Sequence, residues 1–432
     1  MFQKAKQFIL EALLSSQKYT GTDNIYIAKQ GFWASFPYVT SSVLSAGLVV
    51  AFANLLPKEV YGTYRYILSA AGVISFLTLS GMNTALTRAV AQGIGGLLAW
   101  SIRVQVRFNM LYTVACFIGA GYYWVNSNHT LAIGLLIMGV TFPFNTALTS
   151  YGAYLAGKKE FQLASHYAVL SSIFFTALLL GALFVTDDVL ILVGAYALGI
   201  LTPSIFFYLK TVRNDAAQIA TLKERQEVLQ YSAHLSVVPI ISVIAQYLDK
   251  ILLFQSLGAI QVATYALAQA MPERMKGLAK SASGIILPKL STRSSPHQRS
   301  TFYWRLTLGA LLGAFGFAAY WIVAPSVFKI LLPSYLDSLF YSQVLMASLI
   351  FAVPFNYIGA VFRSQKMLRA IYLSSFVART PTVILYLVFG ITEGIWGMVW
   401  ANVGGLCITV LGTIVIWEIE TRRLLKLEHS KI

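Results

Sequence analysis

The chain has 432 residues, of which 57% are hydrophobic and only 11% are charged. Soluble domains carry about 25% charged residues, so this composition leaves too little polar surface for a soluble protein. The net charge of +16 would suit nucleic acid, but no basic run with interleaved aromatic residues lies on a soluble module. The composition therefore excludes soluble enzymes and nucleic-acid partners, and it predicts an integral membrane protein.

Twelve apolar stretches follow one another along the chain. Each has the ~20 residues that a helix needs to cross a ~30 Å hydrocarbon core. The two cysteines, Cys116 and Cys407, fall inside these stretches and are expected to be buried apolar residues. We name the stretches span 1 to span 12, with predicted bounds 32–54, 66–88, 108–126, 130–155, 165–186, 189–209, 232–255, 261–283, 303–325, 339–363, 370–391 and 394–417.

Lys and Arg gather at both chain ends and in the connections that follow even-numbered spans, whereas the odd connections are short and poor in bases. Because cytoplasmic loops are enriched in Lys and Arg, the even connections and both termini are predicted to be cytoplasmic. Residues 1–30 show no cleavable signal peptide and are predicted to lie on the membrane as an amphipathic segment.

Three short patterns recur in the same order in the two halves of the chain. Six is an even number, so two six-span repeats would share one orientation and enclose a cavity between them. The predicted fold is all-α, with about twelve transmembrane helices in two pseudo-symmetric six-helix lobes. The matching pairs are Leu56–Tyr64 with Leu257–Tyr265, Pro143–Asn145 with Pro354–Asn356, and Val185–Asp187 with Ile391–Glu393.

This repeat divides the chain into two lobes with short flanking segments. The connection between spans 6 and 7 is polar and is the natural linker between the halves. The predicted segments are a cytoplasmic amphipathic segment (1–30), an N-lobe (31–210), a cytoplasmic linker (211–231), a C-lobe (232–418) and a basic cytoplasmic tail (419–432).

Arg379 is a charged residue predicted to lie near the middle of the membrane, in span 11 and followed by Pro381. A charge at this depth costs about 2.5–3.5 kcal/mol on insertion scales, so it normally faces a partner or a wet cavity. Arg379 is therefore either a substrate contact or one half of an ion pair that supports helix packing.

Further charges lie in spans 2, 7 and 8. Adjacent helical residues point about 100° apart, so Asp249 and Lys250 are expected to find separate partners rather than each other. Glu273 and Arg274 follow Pro272 midway along span 8, as a gate, an ion site or a packing pair. Arg65, between two tyrosines at the predicted outer end of span 2, is either an aromatic-belt anchor or a substrate contact.

Prolines inside spans are candidate hinges, because proline removes a helix hydrogen bond. Pro143, Pro354 and Pro272 are interpreted as hinges or static kinks. No spacing of histidines or cysteines suggests a metal site. No nucleotide-binding loop and no nucleophile–histidine–carboxylate cluster occurs in the sequence. The sequence thus predicts a transporter without a cofactor, rather than an enzyme.

The ordered motifs resemble those of polysaccharide-biosynthesis (Wzx-type) oligosaccharide flippases, over nearly the whole chain from about residue 30. The first outer loop of that family is similar to the run that ends in Val60-Tyr61-Gly62-Thr63-Tyr64, and its helix 7 signature to Tyr247-Leu248-Asp249-Lys250. Gly81–Arg88 resembles the end of its helix 2, and Phe389–Gly397 its link between helices 11 and 12. The family often has a polar, uncharged residue near Arg379, so no family role is carried onto this arginine.

The resemblance implies membership of the multidrug/oligosaccharidyl-lipid/polysaccharide exporter superfamily, whose two lobes alternate access. Its Wzx-type members move polyprenyl-diphosphate-linked oligosaccharides across the bacterial or archaeal cytoplasmic membrane for O-antigen, capsule or exopolysaccharide synthesis. A glycan polymerase and a chain-length regulator are then candidate partners, and an H⁺ or Na⁺ gradient is a candidate energy source. The expected diphosphate contacts are Arg379, Lys250, Arg274 and Arg65, and the expected ion-coupling residues are Asp249 and Glu273.

Three alternatives remain open at this point. A multidrug exporter of the same superfamily would usually carry an acidic coupling residue in its first helix, and span 1 has none. A membrane glycosyltransferase or polysaccharide polymerase would need long outer loops, and only residues 325–338 form a sizeable one. A lipid II flippase usually has two more helices than the twelve counted.

Overall fold

A computed structural model describes residues 24–213, 220–291, 295–365, 367–377 and 379–429. These residues form helices and short connections, and they include no β-strand. Seven of the twelve spans are single helices in the described chain. Spans 1, 3, 5, 6, 8, 9 and 12 are the helices Asn24–Leu55, Leu98–Val125, Phe161–Val185, Val189–Val212, Ala259–Ser291, Ser295–Leu331 and Gly394–His429.

The other five spans are interrupted. Span 2 bends by 55° between its two halves. Span 2 consists of Lys58–Ile74, the 3₁₀ turn Ser75–Leu77 and Met82–Ala91, and span 4 consists of His129–Leu148 and Ser150–Gly157. Span 7 consists of Leu222–Val237 and Ile240–Leu257, and span 11 of Leu368–Val377 and Thr380–Thr392. Span 10 follows the 3₁₀ turn Pro333–Ser338 and consists of Leu339–Met346 and Ser348–Ser364.

Within the described ranges, eight helices are long and apolar enough to cross a membrane, and a ninth crossing results if bent span 2 counts as one. Spans 3, 8 and 11 make up the rest of the predicted twelve. The helix of span 3 begins with a stretch that contains Arg103 and Arg107, span 8 contains a charged stretch around Glu273, and span 11 is broken beside Arg379. Large apolar side chains such as Phe184 and Ile322 stay exposed, as expected for a lipid-facing surface.

The two halves pack their helices in the same pattern. Span 1 contacts span 5, span 3 contacts span 4, and span 6 contacts spans 4 and 5. Six spans later, span 7 contacts span 11, span 9 contacts span 10, and span 12 contacts spans 10 and 11. The predicted fold of two pseudo-symmetric six-helix lobes is therefore confirmed.

None of the three predicted hinge prolines interrupts its helix. Pro143 and Pro354 lie in the counterpart spans 4 and 10, but those spans break at Thr149 and Ala347. A proline in a helix frees the carbonyl four residues earlier. For Pro143 that carbonyl belongs to Gly139, and it accepts a hydrogen bond from Thr113 Oγ1 at 2.8 Å. Thr113 of span 3 thus supplies the hydrogen bond that this carbonyl lacks within its own helix. Movement at the three prolines stays a prediction.

The flanking segments merge with the helices where the structure describes them. Residues 24–30 begin the helix of span 1, and residues 419–429 continue that of span 12. At the start of span 7, Thr221 N and Oγ1 donate hydrogen bonds to the Glu224 carboxylate at 2.7 and 2.8 Å, which holds the pKa of Glu224 below its usual value. The remaining residues of the predicted amphipathic segment, linker and tail, 1–23, 214–219 and 430–432, lie outside the described residues.

Candidate functional site: the cavity between the lobes

A cavity of about 910 Å³ lies between the two lobes. Spans 1, 2, 4, 5 and 6 line it from the N-lobe, and their counterparts 7, 8, 10, 11 and 12 line it from the C-lobe. Spans 3 and 9 lie away from it. The cavity therefore occupies the place that the predicted axis between the repeats gives it.

At the end where odd-numbered connections lie, which we call the odd end, the lobes are joined tightly. Asn54 Nδ2 donates to the Leu331 carbonyl at 2.8 Å, and Lys58 Nζ lies 2.8 Å from Asp337 Oδ2. Gly62 packs so closely on the carbonyl of Ala259 that any Cβ would overlap it. Only glycine permits this approach of span 2 to span 8.

At the opposite, even end, contacts join span 1 to span 8. Arg274 Nη1 donates to the Ser42 carbonyl at 3.0 Å and also to Ser45 Oγ. The hydroxyl of Tyr38 lies directly over Gly277. Arg274, predicted as a diphosphate contact, thus lines the cavity and donates from Nη1 to span 1 in this conformation.

Arg65 reaches the cavity from span 2, one turn after Tyr61. Its Nε is buried and has no hydrogen-bond partner, and no described carboxylate pairs with it. A buried donor without a partner costs about 1–3 kcal/mol. An anchoring role at the membrane surface does not explain this burial. The geometry suits a guanidinium that receives its partner from a ligand.

Arg379 reaches the cavity from the break in span 11. It is the residue before the half-helix Thr380–Thr392, with φ −123° and ψ −17°. No described residue forms an ion pair or hydrogen bond with its side chain, whereas Tyr386, two turns further on, accepts a hydrogen bond from Asn402 Nδ2 at 2.9 Å. Glu273 lies within electrostatic reach of Arg379 but forms no ion pair with it in this conformation, so both alternatives for Arg379 stay predictions.

Asp249 and Lys250 contradict the expectation of separate partners. Lys250 Nζ lies 3.1 and 3.2 Å from the two carboxylate oxygens of Asp249. The four-carbon lysine side chain is long enough to fold back over its neighbour, so the 100° between adjacent Cβ atoms does not prevent the pair. The hydrogen bond from Lys250 N to Asp249 Oδ1, at 2.8 Å, turns the carboxylate toward it.

Glu273 pairs with Lys276 on the same helix at 2.6 Å and remains 54% exposed to the cavity. Lys276 and Lys280 also line the cavity. Neither lysine was assigned a role in the cavity from the sequence, although both fall within the predicted bounds of span 8. Their helical spacing from Glu273, three and seven residues, was the signal that placed them on its face. None of the three predicted hinge prolines lines the cavity.

A wall of hydroxyl groups on the N-lobe side was not anticipated. The serines mostly donate to carbonyls one turn earlier, for example Ser41 to Tyr38 at 3.1 Å and Ser172 to Ala168 at 2.9 Å. Their oxygens are left as acceptors toward the cavity. The lining hydroxyl residues of spans 1, 5 and 6 are Ser41, Ser42, Ser45, Ser171, Ser172, Thr176 and Ser204.

The family model described as "Polysaccharide biosynthesis protein" matches residues 27–292, which is more than half of the chain. The chain belongs to this family. No curated protein matches it significantly by sequence. The resemblance seen in the motifs is therefore confirmed at the level of the family.

Solved structures share the fold at low sequence identity. A lipid II flippase MurJ in an inward closed conformation superposes with a TM-score of 0.70 at 15% identity, over 89% of this chain and 87% of that one. A multidrug resistance MATE family transporter of the MOP superfamily superposes in an inward-facing conformation with a TM-score of 0.66 at 14% identity, over 92% and 96% of the chains. An outward-facing structure gives 0.60 at 15% identity, over 93% and 96%. Family and fold together describe a multi-pass membrane protein of the polysaccharide biosynthesis family.

Proposed function

We propose that the protein flips polyprenyl-diphosphate-linked oligosaccharides across the cytoplasmic membrane by alternating access, for polysaccharide biosynthesis. The observation that carries this proposal is the cation excess of the interlobe cavity. Arg65, Lys250, Arg274, Lys276, Lys280 and Arg379 line it against the two carboxylates Asp249 and Glu273.

Among the three arginines of the cavity, Arg65 and Arg379 have neither an ion pair nor a side-chain hydrogen bond with a described residue, whereas Arg274 donates to Ser42 and Ser45. A guanidinium within a membrane span is costly unless an anion or water accompanies it. Arg65 and Arg379 would supply paired N–H donors to the oxygens of a diphosphate, a geometry in which guanidinium binds phosphate more specifically than an ammonium does. The diphosphate of a lipid-linked glycan is the anion that a flippase of this family would bring into the cavity.

The hydroxyl wall supports a glycan next to that anion. Sugar hydroxyls need acceptors, and the oxygens of Ser41, Ser172 and Ser204 offer them because their own protons are donated to helix carbonyls. The lipid tail would stay in the bilayer while the head group crosses between the lobes.

A cation-coupled multidrug exporter of the same superfamily is the competing function. Its cationic substrates would meet six basic side chains against two carboxylates, and this excess of positive charge would repel them. The cavity charge thus favours an anionic substrate. The fold shared with a lipid II flippase and a multidrug transporter argues against a membrane glycosyltransferase or polymerase.

The proposed orientation places the even end in the cytoplasm of a bacterium or archaeon, from the distribution of basic residues. The lobes at 31–210 and 232–418 would rock about the cavity, and the flipped product would pass to a glycan polymerase with its chain-length regulator. Single cysteines at Ser127, in an odd connection, and at Lys159, in an even one, test the orientation. An impermeant thiol reagent should label only the first in intact cells, and labelling of only the second would reverse the orientation.

Arg379 gives the functional test. Arg379→Ala should abolish flipping in proteoliposomes while its abundance in the membrane stays normal, and Arg379→Lys should restore part of the activity. Arg103→Ala is the matched control, because Arg103 is exposed and bonds to its own helix at Ala99. Normal flipping by Arg379→Ala would refute the role of this arginine.

A further inference from the structure

The Asp249 carboxylate has no vacant acceptor position in this structure. Its Oδ1 accepts from Lys250 N at 2.8 Å and from Lys250 Nζ at 3.1 Å. Its Oδ2 accepts from Gln269 Nε2 at 2.8 Å and from Lys250 Nζ at 3.2 Å. The four contacts use the four lone-pair positions that a carboxylate offers.

The charged groups of Asp249 and Lys250 are both buried in the wall of the cavity. Asp249 is 1% exposed, Lys250 5% and Gln269 6%. A carboxylate buried to this extent requires a counter-cation, since an unpaired charge in a low-dielectric interior is strongly destabilising. Lys250 supplies that cation from the next position in the chain, so it cannot diffuse away.

The groups around Asp249 include oxygen ligands of the kind that a small hard cation binds. The buried hydroxyl of Tyr265 lies between Asp249 and Tyr386. The ring of Tyr265 lies 5.7 Å from Lys250 Nζ. Two carboxylate oxygens, the Gln269 amide and this hydroxyl are the type of ligands that bind monovalent and divalent hard cations. The ammonium of Lys250 stands where such an ion would neutralise Asp249.

We infer that Lys250 is a tethered substitute for a bound cation, and that Asp249 therefore does not bind a transported Na⁺ or H⁺. The Asp249–Lys250 pair is a permanently neutral unit of the C-lobe wall. Two expectations from the sequence are thereby replaced. Asp249 would not be an ion-coupling residue, and Lys250 would not be a free contact for the diphosphate. This inference is independent of the proposed substrate.

Thermal unfolding of the purified protein in phosphatidylcholine nanodiscs tests the inference without any glycan. The fluorescence of the eight tryptophans reports unfolding. The wild-type Tm should be the same in NaCl and in choline chloride of equal ionic strength. Lys250→Ala should unfold earlier in choline chloride and regain at least about 2 °C with saturating Na⁺, because the vacated carboxylate then binds the ion.

Matched variants separate this effect from general salt stabilisation. Asp249→Asn with Lys250→Ala should show no response to Na⁺, and Lys250→Arg should behave as wild type. Lys276→Ala, which leaves a carboxylate exposed to cavity water, should also show none. If Lys250→Ala does not fold, the neutral double variant must recover a folded protein, since it removes the unpaired charge.

Three outcomes would overturn the inference. One is a saturable Na⁺ stabilisation of the wild type that Asp249→Asn abolishes. Another is a folded Lys250→Ala that ignores Na⁺. The third is a neutral double variant that is no more stable than Lys250→Ala, because the pair would then not be the source of the stability.

Discussion

The two walls of the cavity come from lobes of the same fold, yet their chemistry differs. The N-lobe wall offers hydroxyl groups and a single cation, Arg65. The C-lobe wall carries both carboxylates and the other five basic side chains. A substrate with a polar glycan and an anionic diphosphate would therefore be oriented, with its sugars against the N-lobe and its phosphates toward the C-lobe and Arg65.

The difference arises position by position within the repeat. In the register of the two repeats, Arg65 of span 2 corresponds to Ala266 of span 8. Lys250 of span 7 corresponds to Val49 of span 1. All four line the cavity. The same helix positions thus line the cavity in both lobes, but each of these positions carries a charged residue in only one lobe. This is expected when a functional site is added to a fold that both lobes share.

The largest effect should come from preventing the walls from separating. Lys58→Cys and Asp337→Cys replace the pair that joins the lobes at the odd end at 2.8 Å. Bridging them with a short bifunctional thiol reagent should reduce flipping to the background of empty liposomes. A bridge with a cleavable disulfide should allow full recovery with reductant, and the two single cysteines are the controls. Undiminished flipping by the bridged protein would show that the odd end does not need to open.

Replacing Arg65 removes the one cation that lines the cavity from the N-lobe. Arg65→Met should weaken binding of the diphosphate-linked substrate about 10- to 100-fold, the range expected for charged hydrogen bonds of about 1.5–3 kcal/mol. Its Tm without substrate should equal or exceed that of the wild type, because the buried Nε has no partner to lose. A large drop in Tm with unchanged binding would instead assign Arg65 to the scaffold.

Removing hydroxyls from the N-lobe wall should have the smallest effect. Ser172→Ala should weaken binding of the glycan-bearing lipid about 2- to 12-fold, at about 0.5–1.5 kcal/mol for one hydrogen bond. Binding of the bare polyprenyl diphosphate should not change. Ser69→Ala is the control, because Ser69 bonds to the Arg65 carbonyl away from the cavity. An equal loss for both lipids would contradict the assignment of sugars to this wall.

The spans and the two lobes could be predicted because hydropathy, charge and repeat patterns are encoded along the chain. Arg379 was singled out in the same way, as a charge far from its flanking bases, and it lines the cavity; its depth in the membrane stays a prediction. The helix breaks were less accessible, since span 4 breaks at Thr149 and not at Pro143. The partners of the cavity charges could not be predicted from the sequence. Whether Lys250 folds back onto Asp249 depends on side-chain rotamers and on Gln269, which span 8 brings to the same carboxylate. The hydroxyl wall was hidden because single serines in apolar helices ordinarily bond to their own backbone.

The central claim is that Arg65 and Arg379 recognise a diphosphate, and binding measured by native mass spectrometry in nanodiscs tests it most directly. The comparison is between polyprenyl diphosphate and polyprenyl monophosphate, on the wild type and on Arg65→Met with Arg379→Ala. We predict that the wild type prefers the diphosphate at least about 10-fold and that the double variant loses this preference while still binding the lipid tail. A preference that survives in the double variant would contradict the account.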